Sequence, residues 1–213
     1  MTPRPKATPN RYAPPTVHKK MMGKETYIGK RENAISLAIF PTCLIIGSML
    51  RYVEIHLEEE TQIESLSIFA SEIIRDYYDP IIGKKQNDYH LKKFQSVEGI
   101  KEQLRNGYTY YRCYDSNTPI GFFAFYPRSD SLYLSKFYVH KDHRSKGYGK
   151  EIISFLKEEV CKLGLSGIEL NVNRFNPSRF IYERMGFIKV REEKIDVGDG
   201  FIMDDYVYKL PLD

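Results

Sequence analysis

One junction constrains this chain more than any other feature. The alternating run Leu132–Val139 passes through residues 140–143 into Arg144-x-x-Gly147-x-Gly149, and from there into a helical stripe of Ile152, Ile153, Leu156, Val160 and Leu163 that stops at Gly164. A strand that feeds a helix calls for a sheet with helices packed on it. The first residues of a helix present unpaired N–H groups and the positive end of the macrodipole. Gly147 and Gly149 remove side chains that would block a ligand, while Arg144, Lys146 and Lys150 add positive charge. Together they describe a seat for a phosphorylated anion. The plainer alternative is a glycine-containing turn that only joins two elements.

Two familiar phosphate loops do not fit the junction. A P-loop needs Ser or Thr after its lysine, but Lys150 is followed by Glu151, and no glycine lies five positions before Gly149. The dinucleotide fingerprint would put its third glycine at Ile152, and no strand ending in a ribose-binding acid follows about 20 residues on.

Around this junction the periods predict a complete sheet. Tyr108–Tyr114, Ile120–Tyr126 and Leu132–Val139 are aromatic-rich runs separated by turn residues, as in an antiparallel meander. Upstream, Val53, Ile55 and Leu57 alternate as a half-buried strand, and Thr61-x-x-Glu64 forms a capping box. The helix it opens carries Ile63, Leu66, Ile73, Ile74 and Tyr77 on one stripe and ends near Asp79-Pro80; a second helix covers Val97–Arg105 behind Ser96. Downstream, Ile168–Val172 is a strand and Pro177–Met185 a short helix capped by Asn176, with further strands near Phe187–Ile195 and Phe201–Leu210. The order predicts an α+β (mixed α/β) fold, a mostly antiparallel sheet of about seven strands flanked by about four helices.

With 213 residues, 42% hydrophobic and 28% charged, the chain can bury one full core with some length left over. That composition excludes a multi-span membrane protein, a collagen-like repeat and full disorder. Its three cysteines lie too far apart for a metal knuckle or a disulfide framework, so a reducing, cytoplasmic compartment fits. The charge is uneven. Met1–Asn33 carry eight Lys/Arg against Glu25 and Glu32, so this Pro-rich segment is +6 and the remainder −2. It reads as a solvated tail with no nucleic-acid-binding motif around it.

Ala34–Leu50 then run without a charge, interrupted by Pro41 and Gly47. The stretch is shorter than the about 20 residues of a spanning helix and too far from the start for a signal peptide. We read residues 1–50 as a poorly ordered or peripheral extension and 51–213 as the folded domain. A membrane-attached protein using 34–50 is the less favoured alternative, and a functional start at Met49 stays open.

Several stretches together resemble the GNAT superfamily of N-acetyltransferases. The strand Leu134–Val139, its spacing to Arg144-x-x-Gly147-x-Gly149, and the later Asn173–Phe187 with Asn176, Tyr182 and Gly186 are similar to that family's two central motifs in order. Asp204–Leu210 is similar to its last strand. The layout extends over 51–210, and its specific part over 132–187.

The resemblance implies a fold, a co-substrate and a reaction. Acetyl-coenzyme A would rest its pyrophosphate on the backbone N–H groups of Ser145, Lys146, Gly147, Tyr148, Gly149 and Lys150, beside Arg144. Main-chain groups of Phe137, Tyr138 and Val139 would hold the pantetheine arm and polarise the thioester carbonyl. Asn176 is a further cofactor-binding position, although it stands six residues before Tyr182 where many members have seven. Tyr182 matches the family's general acid, which would protonate the departing thiolate; with 17 tyrosines in the chain, a groove-filling role is the plain alternative. The acceptor would be a primary amine of a small molecule or a peptide, and a homodimer is compatible with the resemblance. A catalytically idle domain that binds acetyl-coenzyme A as a sensor or docking module is the competing function.

The base is not apparent. Where some members carry Glu or His, this chain has Tyr133 and Ser135; where others carry Glu, it has Asn171. A water chain or Glu169 remains for that role. For the acceptor pocket the resemblance points to Tyr77, Tyr78, Asp79 and Ile81, with Asp204 or Asp205 opposite. His140-x-x-His143 lacks a third ligand at a credible spacing, so no metal is expected, and Cys113 and Cys161 read as core residues.

Overall fold

Both faces of the central strands are covered by helices, and this explains why their apolar runs are nearly continuous. The computed structural model describes residues 27–28 and 50–212. These form β1 (Tyr27–Ile28), β2 (Leu50–Ile55), β3 (Thr109–Asp115), β4 (Thr118–Pro127), β5 (Leu132–Val139), β6 (Gly167–Asn173), β7 (Ile188–Gly198) and β8 (Phe201–Pro211), in one sheet ordered β1-β2-β3-β4-β5-β6-β8-β7. The helices are α1 (Glu60–Ile82), α2 (Lys84–Phe94), α3 (Val97–Arg105), α4 (Tyr148–Leu163) and α5 (Arg179–Arg184). All strand pairs are antiparallel except β5 with β6.

The expected mixed α/β architecture is the one observed, with seven longer strands and one two-residue strand. That short strand, β1, comes from the segment read as a tail and pairs with Tyr52 and Arg51. The rest of that segment, Ala34–Met49 included, lies outside the described residues. Among the described residues no helix is long and apolar enough to cross a membrane.

Two cores flank the sheet. On one face α4 packs Ile152, Ile153, Phe155, Leu156 and Val160 against Phe123, Phe125, Leu132, Leu134 and Leu170. Burying each such side chain contributes at most about 1.5–3 kcal/mol. On the other face α1 and α3 place Ile63, Leu66, Ile73, Ile74 and Ile100 over Tyr110, Phe122, Ala124 and Tyr126.

The α4 stripe differs from expectation at its end. Leu163 is 47% exposed and Cys161 is also exposed, because Phe155 and Tyr148 complete the buried face instead; Cys113 is fully buried.

Helix α1 also departs from its expected bounds. It begins at Glu60 behind Glu59, whose carboxylate accepts from the His56 N–H, so the Thr61–Glu64 capping box is not what starts it. It runs on through Pro80, whose missing N–H falls near the last turn, and ends at Gly83 with φ of 79°. Helix α2 follows at once and was not expected. Its sequence is rich in lysine and it buries Asn87 together with Leu91, which leaves no apolar stripe to read. In α3, by contrast, Ser96 caps as predicted, its Oγ accepting from Gly99 N at 3.1 Å.

Candidate active site

The site begins where two strands part. β5 pairs with β6 only at Leu132–Ile168 and Tyr133–Glu169, whereas β5 stays paired with β4 as far as Val139. The register shift between β4 and β5 leaves Ser135 as an extra residue, and a bulge of this kind bends the strand that carries it. From Leu134 onward the β6-facing edge of β5 therefore has no ladder partner and opens into a cleft. At the apex Glu169, 9% exposed, accepts from Arg128 Nη1 at 2.5 Å and from Arg191 Nη2 at 3.1 Å. Both of its oxygens are taken by guanidinium donors, so it serves the strand junction and not proton transfer.

A cleft of about 590 Å³ runs from this gap to the start of α4. Of the positions singled out in the sequence, Phe137, Tyr138, Val139, Arg144, Ser145, Gly147, Tyr148, Gly149, Lys150, Asn176 and Tyr182 all line it. Lys146 is exposed in the same loop, outside the lining. Gly147 is the N-cap of α4 with φ of 89°, a left-handed conformation costly for other residues, and it brings no side chain to satisfy the first N–H groups. Ser145 also has positive φ, 63°. Successive turns of this type converge N–H groups on one point and favour an anion.

Arg144 ties the loop back to the strand, its Nε donating to Val139 O at 3.0 Å and its guanidinium lying 5.0 Å from the Tyr77 ring centre. Gly149 faces the cleft; a Cβ there would sit 3.3 Å from Met185 Cε and 3.6 Å from the Phe137 ring, narrowing the passage. Tyr148 contributes only main chain, since its ring is buried in the core with the hydroxyl bonded to Asp115.

Helix α5 closes the far side. It is shorter than predicted, beginning at Arg179 behind Ser178, because Asn176 turns the chain instead of capping: its Oδ1 accepts from Ser178 N at 2.8 Å. The same oxygen accepts from Tyr77 Oη at 2.8 Å, and its amide donates to Tyr78 Oη at 3.0 Å. Asn176, 3% exposed, thus uses most of its hydrogen-bonding capacity to lock α5 to α1.

Tyr182 of α5 lies 6.2 Å from the Phe137 ring and 5.6 Å from the Phe187 ring, centre to centre. Burial, with Tyr78 and Tyr77 nearby, pushes its phenol well above the ordinary value, and burial pushes Tyr78 up to about 12 against the opposing bond from Asn176. Both hydroxyls therefore keep their protons at neutral pH and are hydrogen-bond or proton donors.

A second cavity, of about 1040 Å³, lies on the α1–α3 side of the sheet. It meets the cleft at Tyr78, Ser135, Tyr138 and Asn171, which line both. Its polar floor comes from Asn171 and Asn173 of β6, Glu193 of β7 and Asp205 of β8, and Lys136 and His90 lie in its wall. Asp205 is 2% exposed; burial raises its carboxyl to about 7, against the bond from Asn171 and helped by the charges of Asp204 and Glu193. Burial lowers Lys136 to about 8. Burial, with Lys136 and Lys93, lowers His90 to about 4.

Of the acceptor-wall positions expected, Tyr78 and Asp205 line this cavity and Tyr77 lines the cleft, but Asp79 and Ile81 do neither. Asp79 is turned to Asn87, accepting from its Nδ2 at 2.6 Å, which anchors the unexpected helix α2. Asp204 is paired with Arg174 and Lys194. Lys136, Glu193 and the whole contribution of α2 were missed; among them only the β5 alternation could have flagged Lys136. Among the described residues no group of three or more His, Cys, Asp or Glu could hold a metal ion.

This geometry has known counterparts. The chain is similar to the PaiA N-acetyltransferase of Thermoplasma acidophilum in complex with coenzyme A, 16% identical over 76% of this chain and 99% of that one, with a TM-score of 0.61. A GCN5-related N-acetyltransferase of Rhodopseudomonas palustris is 13% identical over 76% and 94% of the two chains, TM-score 0.58. NAA60 of Arabidopsis thaliana in complex with a bisubstrate analogue is 19% identical over 77% and 99%, TM-score 0.52. At these identities the likeness is one of fold. A comparison with curated proteins gives no match. The family model for the acetyltransferase (GNAT) domain matches residues 78–209, more than half of the chain. The chain belongs to the GNAT acetyltransferases.

Proposed function

We propose that this protein transfers the acetyl group of acetyl-coenzyme A to a primary amine of a small molecule or peptide by direct attack, with Tyr182 as general acid. The observation that carries this reading is the opening of three things onto one cleft: the capless N-terminus of α4, the unpaired edge of β5, and Tyr182. The residues fit the co-substrate. Gly147 leaves unpartnered N–H groups at a dipole terminus beside Arg144 and Lys150, suited to a diphosphate, and Gly149 keeps the passage open for a chain-like group. The co-substrate supplies an activated acyl group as a thioester.

The chain's own groups then have separate tasks. The free edge of Phe137, Tyr138 and Val139 supplies main-chain donors and acceptors for the pantetheine arm, and a donor there stabilises negative charge developing on the thioester oxygen. Tyr182, kept protonated by burial, gives its proton to the departing sulfur. The second cavity, joined to the cleft at Ser135 and Asn171, admits the amine from the opposite side of the sheet. That arrangement suits a direct transfer; one similar fold is named an aminoglycoside 6'-acetyltransferase and another is crystallised with a bisubstrate analogue.

A panel of primary amines incubated with acetyl-coenzyme A, read as release of free thiol, tests the reading. Amine-dependent release above the hydrolysis background is expected. No release with any amine, in a protein that still binds acetyl-coenzyme A, would point to the idle sensor instead.

A further inference from the structure

The acyl-transfer reading leaves one step without an agent. An amine with a pKa near 10 arrives protonated, and an ammonium has no lone pair with which to attack. Glu169 is occupied by two guanidiniums, and neither Tyr133 nor Ser135 is a base. Resting on that reading, we propose that Asp205 receives the ammonium of the acceptor in the α1–α3 cavity and takes the proton that frees its amine.

Three observations carry the assignment. Asp205 lies in the floor of the cavity with Asn171, a residue shared by the cavity and the cleft, whose Nδ2 donates to Glu193 Oε2 at 3.2 Å and whose amide favours the ionised form of Asp205. It thus lies in the same polar floor as a residue at the place where the two spaces meet. Its carboxylate also has no cationic partner among the described residues, whereas the adjacent Asp204 is paired with both Arg174 and Lys194. A buried carboxylate without a counter-ion is costly, and an incoming ammonium is the charge that relieves it. Finally, Asn171 Oδ1 is buried beside it with no hydrogen-bond partner, an acceptor available to the N–H of an amine or to a protonated Asp205.

The groups around Asp205 suit its task. The charge of Glu193 on β7 acts on it, and its own charge acts on Tyr78 of α1, while Asn171 and Asn173 of β6, Lys136 of β5 and His90 of α2 line the same cavity. Asp204 and Glu193 add negative charge, and burial acts in the same direction, so the carboxyl gains and loses its proton close to neutral pH.

The protons balance. Asp205 takes one proton from the ammonium, leaving the N–H electron pair on nitrogen, which forms the bond to the acyl carbon. As the carbon–sulfur bond breaks, its electron pair leaves on sulfur and Tyr182 protonates it. The second proton shed by nitrogen restores Tyr182, and Asp205 returns its proton to solvent. One proton is released per turnover, as amide formation from an ammonium requires.

The experiment is a pH profile of kcat/KM for one accepted amine of pKa near 10, with wild type, Asp205→Asn and Asn171→Ala, alongside calorimetric titration of each with acetyl-coenzyme A. The wild type is expected to show an acidic limb near pH 7. Asp205→Asn should lose that limb and about a hundredfold or more in kcat, with acetyl-coenzyme A affinity kept. In Asn171→Ala the limb should move to higher pH, because the amide that favours the ionised carboxylate is gone and Glu193 loses its donor; this variant carries the test if Asp205→Asn does not fold. An unchanged limb in either folded variant overturns the assignment. Failure of the underlying reading looks different: the wild type itself would acetylate no amine.

Discussion

Tyr133 of β5 lies opposite Glu169 of β6 in the final rung of a ladder only two rungs long. Beyond it the strands part, and the Arg128–Glu169–Arg191 cluster sits at the point of separation. Glu169→Ala should therefore lower stability by about 1–3 kcal/mol, less than a fully buried pair because Arg191 is half exposed. The acidic limb of the pH–rate profile should stay where it is. Chemical denaturation and a pH series check the two halves, and loss of the limb would restore Glu169 as a candidate base.

Tyr182→Phe removes a hydroxyl and little else, since the ring contacts with Phe137 and Phe187 remain. The expected outcome is a fall in kcat of about a hundredfold with the affinity for acetyl-coenzyme A nearly unchanged. Steady-state kinetics beside calorimetry reads both. Equal activity of the two proteins would return Tyr182 to the role of a groove-filling aromatic.

Asn176→Ala removes its bonds to Tyr77, Tyr78 and Ser178 N, while the 2.7 Å contact between Tyr77 Oη and Ser178 Oγ remains. Losing these part-buried bonds should cost about 1–3 kcal/mol, visible as a lower midpoint in urea. Because Tyr182 rides on the loosened helix, kcat should fall more than acetyl-coenzyme A affinity. A change in affinity alone would mean that Asn176 acts on the ligand directly.

The raised carboxyl of Asp205 has a consequence for stability. Its affinity for a proton is higher folded than unfolded, about 7 against 3.8, so its favourable contribution is complete below about pH 4 and is lost as the pH rises through about 7. Asparagine at that position does not titrate. Asp205→Asn should therefore gain on the wild type between pH 4 and 7 and hold the advantage above, by at most about 4 kcal/mol at about 1.4 kcal/mol for each pH unit. Denaturation midpoints at pH 4.5 and 8 check the sign. A difference that does not shift in the variant's favour from pH 4.5 to pH 8 contradicts it.

What the sequence displays and what it hides follow from the physics of each element. The bounds of β5, α3 and α4 are legible because their buried faces keep a clean period and their ends carry Ser96, Gly147 and Gly164. Tyr182 and the Gly147 loop are legible because spacing along one strand–helix unit is local. Helix α2 is hidden because it holds its place through Asn87, bonded to Asp79 and Ile74, and not through an apolar stripe. The floor of the α1–α3 cavity is hidden for another reason: Asn171, Glu193 and Asp205 come from three strands, and only the pairing of β8 between β6 and β7 brings them together. Nothing in the sequence distinguishes Asp205 from Asp204, although one is buried with no counter-ion among the described residues and the other is paired with Arg174.

The most direct test of the account is calorimetric titration of acetyl-coenzyme A into the wild type and Gly147→Glu. The substitution forces a side chain into a backbone conformation with φ of 89° and sets a carboxylate beside the N–H groups of α4. We expect saturable binding to the wild type and none measurable to a variant that is still folded by circular dichroism. Equal affinity in the two proteins would contradict the claim that the start of α4 holds the diphosphate.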